Sequence, residues 1–133
     1  MAVTNTTTGA LDNDSDEFSL SISDTNTHDL PDTDGDDSAG GDYWDGRTAD
    51  AVVAYVENNQ DQSLTATLKR RPDPDSSVEI ADVETVEVAS GAVEALIATD
   101  TAPMGQFRVE VTFDTAPSGS NDTVVLFDWR HRR

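Results

Sequence analysis

Short runs of alternating apolar and polar residues, separated by turn residues, fill the chain from residue 51 to its C-terminus. The clearest covers 106–113, where Phe107, Val109, Val111 and Phe113 alternate with Arg108, Glu110 and Thr112. Successive side chains of a strand point to opposite faces, so this run predicts a strand with one buried and one wet face. Further strands are expected over 51–57, over 63–70 with Leu64, Ala66 and Leu68 on one face, over 78–80 and over 85–88. In 93–98, Glu94 interrupts the apolar run and leaves a helical turn as the alternative reading. The last run, 123–129, has Val125, Phe127 and Trp129 on one face and Val124, Leu126 and Asp128 on the other. Two mostly apolar faces predict a central or interfacial strand.

The punctuation supports this division. Asn58-Asn59-Gln60-Asp61 and Ser90-Gly91 are turn sequences, and Pro72 and Pro74 cannot donate to a ladder and so end the second strand. Asp-Thr-Ala-Pro-x-Gly occurs at 100–105 and again at 114–119, bracketing the 106–113 strand. In each copy Asp opens a turn, Pro fixes φ and Gly supplies a positive φ. Six or seven strands in roughly 80 residues predict an all-β fold, an antiparallel Ig-like or jelly-roll-like β-sandwich over 51–133 with a short basic C-terminal tail.

Residues 1–50 read differently. Their apolar patches are Phe18-Ser19-Leu20-Ser21-Ile22, which alternates with period two and needs a sheet edge to join, and Tyr43-Trp44. Asp, Thr and Gly separate them. The expectation is an extended acidic N-terminal arm over 1–50, too poor in apolar surface to fold alone.

Charge sharpens the contrast. The 133 residues hold 27 acids, 20 of them Asp, against seven Arg and a single Lys, for a net charge of −19; residues 1–50 contribute −12 and the remainder −7. A nucleic-acid or anionic-membrane partner is therefore not expected, because the basic stripe that releases counterions is missing. The Asp- and Thr-rich, Lys-poor excess of acid resembles proteins of extremely halophilic archaea and their viruses. At molar salt the Debye length is about 3 Å, so carboxylate repulsion is screened while carboxylate hydration maintains solubility. The N-terminus lacks the basic start and apolar stretch of a signal peptide, and no apolar run approaches a membrane span.

Catalysis finds little support. His28 and His131 are the only histidines and there is no cysteine, which excludes a zinc site on count and leaves a nucleophilic triad without a rigid base. No enzyme activity and no required cofactor are expected. Carboxylates are too abundant to single out an acid–base pair. A structural Ca2+ or other hard cation is the best-motivated ligand, since Asp12, Asp14 and Asp16, and again Asp32, Asp34 and Asp36, place oxygens at alternate positions. Neither run has the glycine at position six or the glutamate at position twelve of an EF-hand loop.

Three sequence features suggest subunit contacts. Phe18, Leu20 and Ile22 could pair at a strand edge, Tyr43 and Trp44 are an aromatic island that either anchors the arm on a neighbouring subunit or packs against the chain's own sandwich, and Lys69-Arg70-Arg71 with Arg130, Arg132 and Arg133 form basic clusters complementary to acidic neighbours. The stretch from Tyr55 to Trp129, on the residues Val56-Glu57-Asn58-Asn59-Gln60-Asp61-Gln62-Ser63-Leu64-Thr65-Ala66-Thr67-Leu68, Val88-Ala89-Ser90-Gly91-Ala92-Val93-Glu94-Ala95 and Phe107-Arg108-Val109-Glu110-Val111, resembles small β-sandwich domains of tailed-virus virion proteins. The resemblance implies a capsid decoration or turret protein located on the particle and made in the host cytoplasm. Its partners would be further copies of itself, in a trimer or higher oligomer, and other virion proteins. A tail, collar or head-to-tail connector component is the alternative, as is a module that binds host-surface glycan or S-layer protein.

Overall fold

The computed structural model describes residues 13–31, 43–46, 49–71, 81–99 and 105–131. They form nine strands: β1 (Asn13–Leu20), β2 (His28–Leu30), β3 (Trp44–Asp45), β4 (Ala49–Asn58), β5 (Leu64–Arg71), β6 (Ala81–Val88), β7 (Val93–Thr99), β8 (Gln106–Phe113) and β9 (Thr123–His131). Every pairing is antiparallel. One sheet has the order β1-β9-β4-β7 and the other β2-β8-β5-β6, with β3 beside β2 on the same edge of β8. The chain is an all-β, two-sheet sandwich.

Period-two alternation determines which side chains meet between the sheets. Val52, Ala54 and Val56 of β4, Leu64, Ala66 and Leu68 of β5, the four alternating residues of β8, and Val125 and Phe127 of β9 are all buried. Burying each large apolar side chain stabilises the fold by about 1.5–3 kcal/mol before conformational entropy is charged against it. β9 lies between β1 and β4, the central position its two apolar faces predicted. The 93–98 run is strand β7, not a helical turn, and the expected 78–80 strand lies outside the described residues. Gly105 and Gly119, the last residues of the two turn repeats, have φ of 81° and 79°.

The expected boundary at residue 50 is corrected. β1 pairs with β9 from Asn13↔Arg130 to Leu20↔Thr123, and β2 and β3 pair with β8, so described parts of the first fifty residues belong to both sheets. The cause is β9. Its inward Val125 and Phe127 need cover, and β1 supplies Phe18 and Leu20, with the Phe18 and Phe127 rings edge-to-face at 6.1 Å. Backbone pairing then carries the strand into the acidic Asn13–Glu17 stretch that alternation alone did not mark.

Trp44 joins the sheets. Carried by β3 on one sheet, its ring stacks on Phe127 of the other at 4.9 Å and 4° between planes, while its Nε1–H donates to Asp16 Oδ2 at 2.8 Å. Gly46 is required beside it, since a Cβ there would lie 2.8 Å from the Trp44 ring and 2.9 Å from the Phe107 ring.

Candidate interaction surfaces

Three surfaces are built on this frame. The first closes one end of the sandwich. The β4–β5 turn inserts Gln60 between the sheets, where its side chain is buried. Its Oε1 accepts from Ile22 N–H at 3.2 Å and from Thr123 Oγ1–H at 2.9 Å, and its Nε2–H donates to Ile22 O at 2.5 Å. Asn58, also buried, donates from Nδ2 to Gln62 O and Val88 O, and its Oδ1 accepts from Gln60 N–H. Ser90 Oγ–H donates to Gln60 O at 2.6 Å. At the rim Asp61 Oδ1 accepts from Ser118 N–H at 3.0 Å, a bond that holds the Asp61 carboxyl below its ordinary pKa. Four chain segments are thus tied by one turn, and the paired amides satisfy backbone groups that burial would otherwise leave costly.

The second surface is the outer face of β8 and its neighbours. Lys69 and Arg108 lie directly opposite across β5 and β8, a like-charge pairing that is unfavourable alone. Glu110 offsets it, at 2.8 Å from Arg108 and 3.6 Å from Lys69, and Asp29 of β2 lies 3.6 Å from Arg108. Arg108 and Asp29 are both almost fully buried. Tyr43 covers this cluster, with the Arg71 guanidinium carbon 3.8 Å and the Arg108 carbon 4.8 Å from its ring centroid. Arg71 Nε–H also donates to Gln106 Oε1. On the inward side of β2, across from core residue Val111, buried His28 bonds through Nε2 to Asp24 Oδ1 at 2.7 Å, which is the leading cause of the lowered Asp24 pKa.

The third surface is apolar. On the outer face of the β1-β9-β4-β7 sheet, Tyr55 is 38% exposed, Val93 53% and Ile97 50%. The register places Ala95 beside Tyr55, Ile97 beside Val53, and Leu126 on the other side of Tyr55. In a chain of net charge −19 this strip has no charged residue at its centre.

The residues singled out from sequence are distributed unevenly over these surfaces. Phe18, Leu20, Ile22 and Trp44 are in the chain's own core, which removes them from an exposed docking face. Tyr43, Lys69 and Arg71 meet in the charged cluster. Arg70 is half-buried, opposite Phe107 in the ladder. Arg130 pairs through its backbone with Asn13 and Ala51, and Arg132 and Arg133 lie outside the described residues. Among the cation candidates, Asp12, Asp32, Asp34 and Asp36 also lie outside them. Asp14 and Asp16 are in a strand, whose extended backbone cannot wrap around an ion as a loop does, and Asp16 accepts from Trp44. No group of three or more His, Asp or Glu side chains suited to a metal occurs among the described residues. The amide cap, Asp29 and the Tyr55–Val93–Ile97 strip went unrecognised in the sequence, although apolar residues on both faces of 93–97 were a signal for the strip. Compared with known protein families and with curated proteins, the chain matches none.

Proposed function

We propose that this chain is a structural virion protein of a halophilic tailed virus, a capsid decoration or turret subunit that stabilises the particle through contacts between subunits. The supporting observation is the exposed Tyr55–Val93–Ile97 strip on an otherwise acid-rich sandwich. Half-exposed large apolar side chains grouped on one sheet face favour association. The charge makes that association depend on salt: repulsion between copies is long-ranged at low ionic strength and collapses at about 3 M, where the Debye length is below about 3 Å. Acidic hydration on the remaining surface keeps the assembly soluble.

Sedimentation velocity of the full chain tests this reading. Self-association should strengthen on going from about 0.2 M to about 3 M KCl. A monomer at every concentration in high salt would remove the assembly role.

A further inference from the structure

We propose that β7 is the edge at which a second copy of the chain adds, antiparallel, about a two-fold axis at Ala95, and that Glu84 is the guard displaced when it does. This rests on the assembly reading above and gives that assembly a surface. In the β4–β7 ladder, Asn58 N–H bonds Ala92 O at 3.0 Å, so even-numbered residues of β7 direct their polar groups toward β4. By the alternation of antiparallel pairs, Val93, Ala95 and Ile97 direct theirs outward. The outward Ile97 N–H is taken by Glu84 Oε1 at 2.8 Å. Those of Val93 and Ala95 have no acceptor among the described residues.

Charge distinguishes β7 from the other edges. Among the described residues the sheets end at β1, β7, β6 and the β2/β3 pair. β1 carries Asp14, Asp16 and Glu17, β6 carries Asp82, Glu84 and Glu87, and β2 and β3 are three and two residues long. Acids and shortness are the usual protections against strand addition. β7, with the sequence Val-Glu-Ala-Leu-Ile-Ala-Thr, has one acid, Glu94. A two-fold axis at Ala95 sets Val93 against Ile97 of the second copy, joining the two most exposed apolar side chains of the strip. Glu94 then faces Leu96 of the second copy, so no like charges meet across the new ladder. The four-stranded sheet becomes an eight-stranded one, closed by about six new backbone hydrogen bonds, two of which require Glu84 to leave Ile97.

The pairing predicts opposite effects from two substitutions in the full chain at about 3 M KCl. Glu84→Ala removes the guard from both copies and should tighten self-association about a hundredfold, roughly tenfold for each charge-assisted hydrogen bond that pairing no longer displaces. Ala95→Pro removes an outward donor without touching the β4 ladder and should weaken association at least about tenfold. Ile97→Lys places a charge at the pairing line and should do the same; it carries the test if circular dichroism shows that Ala95→Pro does not fold. Unchanged association in the folded edge variants, while the parent associates, would overturn the β7 edge. An unchanged constant in Glu84→Ala would overturn the guard, whereas a monomeric parent would instead overturn the assembly reading beneath both.

Discussion

Replacing Gln60 with leucine, which is apolar and one bond shorter, tests whether the amide cap holds the sandwich shut. The change removes two acceptor bonds at Oε1, from Ile22 N–H and Thr123 Oγ1–H, and one donor bond from Nε2 to Ile22 O. Gln60 and Thr123 are buried, so water does not replace these bonds without opening the end of the sandwich. Three polar groups left unpaired at about 1–3 kcal/mol each, less what relaxation and leucine burial recover, give a loss of about 3–5 kcal/mol. For a chain of this size that is a fall in Tm of roughly 10–20 °C. Thermal unfolding followed by Trp fluorescence at fixed high salt measures it directly, because Trp44 is stacked in the core. Gln62→Leu is the control: the bond to Gln62 uses its backbone oxygen, and the change should stay within about 0.5 kcal/mol. A Gln60→Leu loss below about 1 kcal/mol would show that the three bonds are not jointly required.

Other consequences follow from the charged face and the aromatic contact. Asp29→Ala strips a nearly buried Arg108 of one counter-ion and should cost about 3 kcal/mol, softened by the remaining Glu110 contact, as read from denaturant unfolding. Trp44→Phe keeps stacking on Phe127 but gives up the Asp16 bond; a loss of about 1–2 kcal/mol is expected by the same assay. Asp24 has a lowered pKa, chiefly from its bond with His28, so its contribution is present above its ordinary value of 3.8 and disappears as pH falls through the lowered folded value. Asp24→Asn should therefore flatten the acid limb of the stability profile below about pH 4, while a profile identical to the parent's would contradict that linkage.

How far these features could be read from sequence depended on whether alternation or tertiary demand decided them. β8 was legible because Phe107, Val109, Val111 and Phe113 all face the core and nothing competes with their pattern. β9 was legible as a central strand for the same reason, read on both faces. β1 was only half legible: Phe18 and Leu20 marked its end, but the acidic residues before them become strand because β9 offers a complete ladder to pair with. β2 and β3 are too short to carry any period, and only their place on β8 defines them. Tyr43, Lys69 and Arg71 stand out in the sequence as an aromatic island and a basic cluster, but their partner Arg108 and its counter-ion Asp29 are far from them in sequence. Gln60 lies in the β4–β5 turn that its Asn-Asn-Gln-Asp context predicts. That its amide turns inward to bond Ile22 and Thr123 depends on contacts no local pattern encodes.

The proposed virion role is tested most directly by quantitative mass spectrometry of virus particles purified in high salt from a culture that expresses the chain. The account predicts that the full chain co-purifies with the particles at a fixed, multi-copy ratio to the major capsid protein. Its presence in infected cells but absence from purified particles would contradict the structural role.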